Sequence, residues 1–147
     1  APMRGQIVAK NNITFIVDCY NANPDSVKAG LMSFFNTKTD SQRIIILGDM
    51  LELGKDSQSY HREIGRLLIN KKFDMAFLIG PMTAYIMDEA VKSGMPNNRF
   101  IHFDSSQKAV STVKDCLQPG DIVYVKGSRG IGLEKIINEF DSSEEPS

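Results

Sequence analysis

Five short apolar runs punctuate the chain: Ile13–Val17, Arg43–Leu47, Met75–Ile79, Phe100–Phe103 and Ile122–Val125. Their apolar residues are consecutive and do not alternate with polar ones. That suits strands covered on both faces, as in parallel sheets. Between the runs the spacing changes to that of a helix. Val27, Leu31, Phe34 and Phe35 make one apolar stripe, and Tyr60, Ile64, Leu67 and Leu68 a second. Ala84, Met87, Ala90 and Val91 make a third, and Ala109, Val110, Val113 and Leu117 a fourth. Leu133, Ile136, Ile137 and Phe140 form the last. Each recurs at three- and four-residue steps, which lines one face of a helix.

Start and stop signals agree with this division. Asn23-Pro24, Asp56-Ser57 and Asp104 to Gln107 have helix-capping chemistry, and Gly94 and Pro119-Gly120 sit where helices should end. A further run, Gln6 to Ala9, precedes Asn11-Asn12 and predicts a hairpin with the first main strand. Strand and helix alternate five times. This predicts an α/β, doubly wound, mostly parallel sheet with helices on both faces. No internal linker interrupts the pattern, so residues 1–140 form one domain. The acidic, Ser-rich tail 141–147 is expected to be disordered. The opening Ala1-Pro2-Met3-Arg4 is expected to be a cut within a longer protein.

Composition narrows the function classes. Seventeen Lys and Arg balance 18 Asp and Glu, a net charge of -1, which argues against a dedicated nucleic-acid or membrane-surface binder. Hydrophobic residues are 41% of the 147, ordinary for a globular protein, and no run is long enough to span a bilayer. Two cysteines, Cys19 and Cys116, do not make a disulfide scaffold, so the default compartment is the cytoplasm.

In open α/β sheets ligands gather beyond the carboxyl ends of the strands. Two of those ends are richer than turn-making requires. Asp18-Cys19-Tyr20-Asn21-Ala22-Asn23 offers donors and acceptors suited to a sugar hydroxyl or an amide; the alternative is an elaborate helix cap. Lys126-Gly127-Ser128-Arg129-Gly130 offers two cations before an expected helix N-terminus, which suits a carboxylate or phosphate; the alternative is a connector with solvated charges. Other signatures fail. Five residues separate Gly48 from Gly54, and Lys55 is followed by Asp56, so this is no P-loop. No G-x-G-x-x-G follows the first strand. Cysteines and histidines have no metal-ligand spacing, and Cys19 has no readable base partner. His61 is expected at a surface or interface, and His102 to pack within a strand. Asp49 at a strand end would suit a phosphate acceptor of a receiver-like domain, but no acidic cluster follows the first strand.

Three strings together carry a resemblance: Asp18-Cys19-Tyr20-Asn21-Ala22-Asn23-Pro24-Asp25-Ser26, Gly48-Asp49-Met50-Leu51-Glu52-Leu53-Gly54 and Val125-Lys126-Gly127-Ser128-Arg129. In order and spacing they resemble the C-terminal, Rossmann-like domain of the Mur ligases, nearest to the branch that adds a D-alanyl-D-alanine dipeptide. His61, Glu63 and Gly65 fit the H-x-E-x-G stretch of that branch, and the resemblance runs from about Met3 to Phe140. Cys19 departs from the Ser more often expected there.

The resemblance implies a three-domain, ATP-dependent ligase of peptidoglycan-precursor synthesis, of which this chain is the third domain. The first domain binds UDP-N-acetylmuramoyl-tripeptide. The central one is the ATPase, and carries the P-loop and the main Mg2+ ligands. The third closes over ATP and helps to place D-Ala-D-Ala. By motif match, Arg4 falls on the junction arginine that reaches the ATP phosphates, the one catalytic assignment. Asp18 falls on the acidic contact to the ribose, and Tyr20, Asn21 and Asn23 line the same loop. Lys126, Ser128 and Arg129 fall beside the dipeptide, as partners for its carboxylate. The isolated domain is expected to be inactive. A rival expectation is a stand-alone, flavodoxin-like nucleotide- or ligand-binding module.

Overall fold

The computed structural model describes residues 6–18 and 22–140. Arg4, Cys19, Tyr20, Asn21 and the tail 141–147 lie outside the described residues. Strand β1 (Gln6–Lys10) pairs antiparallel with β2 (Ile13–Asp18). The hairpin turns on Asn11 and Asn12, with φ of 53° and 62°. Asn tolerates that left-handed backbone better than most residues, and two such residues match the twist of the flanking strands. Strands β3 (Arg43–Gly48), β4 (Met75–Ile79), β5 (Phe100–Phe103) and β6 (Ile122–Lys126) complete a six-stranded sheet. Its order is β1-β2-β6-β3-β4-β5, and every pairing after the first is parallel.

Helices α1 (Pro24–Asn36), α2 (Ser57–Leu67) and α3 (Ala84–Lys92) cover one face, through Val27, Leu31, Phe34, Ile64, Ile86 and Ala90. Helix α4 (Ser106–Cys116) and the single turn α5 (Glu134–Ile137) cover the other, through Ala109, Val113, Leu133 and Ile136. The division follows from the direction of travel. From β2 to β5 the chain steps one way across the sheet, and from β5 to β6 it returns. A right-handed crossover therefore puts α4 on the opposite face. With both faces covered, β3 and β4 are buried almost end to end, which explains their continuous apolar runs.

Two helices differ from expectation. The last is one α-helical turn, not a full helix. Its stripe is nonetheless buried, with Leu133, Ile136, Ile137 and Phe140 all in the core. Gly132, at φ 73°, sets its late start. In α3 the buried line runs through Ile86, Glu89 and Ala90, while Ala84 is exposed. The 3-10 turn Pro81–Thr83 precedes α3 and rotates its entry.

Candidate functional site

The strand order reverses around β6. The chain leaves β2 and β3 towards the α1 face and leaves β6 towards the α4 face. The loops therefore part at the carboxyl ends of β2, β6 and β3, the geometry that opens a ligand crevice in this fold class.

On the β2–β6 side, parallel register places Asp18 directly beside Lys126. Lys126 Nζ lies 3.0 Å from Asp18 Oδ2, and the Tyr124 hydroxyl approaches the same oxygen at 3.5 Å. Tyr124 is two residues before Lys126, so both side chains stand on one face of the strand. Its ring stacks on Phe34 of α1, centroids 5.5 Å apart. It passes under Gly30, where a Cβ would lie 1.7 Å from the Tyr124 hydroxyl. Lys126 is only 3% exposed. It is not a solvated loop cation, and no full helix follows it to supply a dipole. Arg129, in a 3-10 turn three residues on, is the exposed cation of that loop.

On the β6–β3 side the two loops are laced together. Asp49 is buried, and its Oδ1 accepts the Thr83 N–H at 2.9 Å. Its backbone carbonyl accepts the Ser128 N–H, and Ser128 Oγ accepts the Leu51 N–H at 2.8 Å. His61 Nε2 accepts the Met50 N–H at 3.1 Å, while Nδ1 lies 2.7 Å from the Ser57 carbonyl. A carbonyl can only accept, so Nδ1 carries the proton and the ring is neutral. Burial pushes the His61 pKa below 6.5, outweighing the Ser57 carbonyl and the Asp49 charge. Burial likewise raises the Asp49 pKa above 3.8, against the Met82 and Thr83 N–H groups that favour its charged form. The backbones of Gly48 and Gly127 also meet closely, since a Cβ on Gly127 would sit 2.9 Å from Gly48 Cα.

These contacts place the sequence candidates. Asp18 and Lys126 come together as a buried pair, and Ser128 holds the Gly48–Gly54 loop. Asn23 is the N-cap of α1: its side chain accepts the Ser26 N–H at 2.9 Å, and Ser26 Oγ accepts the Asn23 N–H in return. His61 is fully buried, contrary to the surface expectation. Its stripe neighbours are apolar and its role is internal, so spacing alone places it one position off the core line. His102 packs as expected within β5, with Nε2 2.7 Å from the Gly80 carbonyl. Sequence reasoning missed Tyr124, whose signal was a glycine, Gly30, inside an otherwise regular helix. Among the described residues no group of three or more His, Cys, Asp or Glu side chains could hold a metal ion. No helix among them is long and apolar enough to cross a membrane. A groove of about 560 Å³ at the opposite rim, lined by Lys38, Arg43 and Lys71 among others, shares none of the site residues.

The family model described as "Mur ligase, glutamate ligase domain" matches residues 3–129. The chain belongs to the Mur ligase C-terminal domain family. It is 31% identical over 137 residues to the UDP-N-acetylmuramoyl-tripeptide–D-alanyl-D-alanine ligase of Bacillus subtilis, covering 93% of this chain and 30% of the relative. The ligase of the same name from Rickettsia prowazekii is 33% identical over 140 residues, covering 93% and 29%. This Mur ligase domain thus spans about a third of the length of those relatives. Among solved structures it resembles MurF of Acinetobacter baumannii, with a TM-score of 0.78, 24% identity, and coverage of 95% of this chain and 30% of that one. MurF ligase of Thermotoga maritima, solved in complex with ADP, gives a TM-score of 0.72 at 22% identity, covering 94% and 30%.

Proposed function

We propose that this domain is the C-terminal part of the ATP-dependent ligase that adds D-alanyl-D-alanine to UDP-N-acetylmuramoyl-tripeptide in peptidoglycan-precursor synthesis. One observation carries the reading most directly. Relatives named for that reaction are 31% and 33% identical to this chain across 93% of its length. The Thermotoga maritima neighbour was solved in complex with ADP, which supports nucleotide use.

In the proposed reaction the tripeptide carboxylate takes the γ-phosphoryl group of ATP to become an acyl phosphate. The amine of D-Ala-D-Ala then attacks the acyl carbon, and ADP and phosphate leave. The bond is made by orientation of the amine and neutralisation of phosphate charge. Asp18, at the carboxyl rim of β2, accepts a ribose hydroxyl. By motif match, Tyr20, Asn21 and Asn23 are assigned to the same nucleotide contact. Arg4, at the domain junction, grips the ATP phosphates, a task suited to a permanently charged, forked guanidinium. Ser128 and Arg129 shape the dipeptide side, with Arg129 facing the carboxylate. The P-loop and the Mg2+ ligands belong to the preceding ATPase domain of the full-length, cytoplasmic enzyme.

The test is the intact ligase assayed for phosphate release that requires ATP, tripeptide and D-Ala-D-Ala together. Arg4→Ala is expected to cut turnover by about a hundredfold or more, the scale of a lost charge clamp on a transition state. Unchanged turnover would remove Arg4 from the reaction. The domain alone is expected to show no ligase activity and only weak ATP binding. Tight binding by the domain alone would favour an independent nucleotide-binding module.

A further inference from the structure

The geometry points to Lys126 as a positioning residue for the nucleotide, acting through Asp18 with the help of Tyr124, and not as a partner of the dipeptide carboxylate. This rests on the ligase reading above and changes the role of one residue within it. Three observations converge. Lys126 is 3% exposed, so its ammonium is not presented to an incoming solute. That ammonium is 3.0 Å from Asp18 Oδ2 and is committed to it. The Tyr124 hydroxyl reaches the same oxygen at 3.5 Å. Both donors fall on Oδ2, so the carboxylate is pinned through that oxygen.

The arrangement is built at several levels. Parallel register puts Asp18 and Lys126 side by side at the ends of β2 and β6. Gly30 lets Tyr124 pass beneath α1 to reach them. A carboxylate that must accept one hydrogen bond in a fixed direction gains from such bracing, because an unbraced side chain would lose rotamer freedom on binding. The dipeptide carboxylate is then left to a different cation, and Arg129 is the exposed one of that loop.

The experiment is a double-mutant cycle in the intact ligase on Asp18→Ala and Lys126→Met, reading the KM for ATP and for D-Ala-D-Ala separately. Each single change is expected to raise the ATP KM about tenfold, the size of one lost hydrogen bond to a charged group. The double variant should be no worse than Asp18→Ala, since Lys126 acts only through Asp18. The dipeptide KM should stay within about twofold. Additive effects on the ATP KM, or a raised dipeptide KM in Lys126→Met, would overturn the proposal. Removing one partner of a buried pair is strongly destabilising, so Lys126→Met alone can unfold. The comparison of Asp18→Ala with the double variant then decides on its own: equal ATP KM supports positioning, and a further change refutes it. ADP affinity by calorimetry on the same variants separates the two readings. If wild type binds ADP and shows the same non-additive pattern but never uses D-Ala-D-Ala, the ligase reading fails and the positioning role stands.

Discussion

At the scale of single residues, the site is held by side chains with one available protonation state or one available size. His61 serves as donor at Nδ1 and acceptor at Nε2, which only the neutral ring can do. Its folded pKa lies below the 6.5 of an exposed histidine because burial disfavours the cation. The sign follows from linkage. Above about pH 6.5 both states are neutral and His61 contributes no pH dependence; below it the unfolded chain gains a proton that the fold resists, so stability falls. Asp49 acts the other way at lower pH. Its folded pKa is above 3.8, so the cost of burying its charge is relieved as pH falls through that raised value. Denaturant unfolding between about pH 7 and about pH 5 should therefore show declining stability in the wild type and a flatter profile in His61→Gln. Equal slopes would remove His61 from the linkage.

Glycine positions give sharper tests. Gly80 has φ 112°, and a Cβ there would lie 2.5 Å from the Asp49 carboxylate carbon. Gly80→Ala should cost about 2 kcal/mol or more in unfolding free energy, through backbone strain and displacement of Asp49. Gly30→Ala should push Tyr124 away from Asp18. Tyr124→Phe should partly rescue its stability, because the hydroxyl is the atom in the way. No rescue would mean that the clash is relieved elsewhere.

At the scale of elements, Gly65 sets how closely α2 and α3 approach. A Cβ there would be 2.5 Å from the Ile86 carbonyl and 2.9 Å from Glu89 Cβ. Gly65→Ala should destabilise by about 1–3 kcal/mol through overpacking, measurable as a lower denaturant midpoint. Around this seam Glu89 takes Arg62 at 3.2 Å and Arg66 at 3.1 Å. Much of this level was legible in the sequence. Continuous apolar runs announced a sheet covered on both faces, and Asn11-Asn12 announced the hairpin. What could not be read was how strands far apart in the chain stand in register. Asp18 and Lys126 are separated by 108 positions, and only the order β2-β6-β3 makes them neighbours. For the same reason Lys126 read as a loop cation. His61 read as a surface group on other grounds: it lies one position off the apolar stripe of α2, and its partner, the Met50 N–H, sits in a loop whose path spacing does not give.

At the scale of the whole molecule, the candidate site residues gather at one end of the sheet. Its carboxyl rim holds Asp18, Arg129 and the laced Gly48–Gly54 loop, with Leu51 40% exposed at the edge. The charge is near-balanced, 17 basic against 18 acidic residues, so the domain presents no strong single-sign field. The motif strings carried the family, and the match over residues 3–129 agrees with them.

The most direct test is the intact ligase with wild-type Asp18 and with Asp18→Ala, followed by ADP release while ATP and D-Ala-D-Ala are varied in turn. The account predicts turnover that requires D-Ala-D-Ala, with the ATP KM rising about tenfold in Asp18→Ala while the dipeptide KM holds. Turnover indifferent to D-Ala-D-Ala, or a dipeptide KM that rises more than that for ATP, would contradict it.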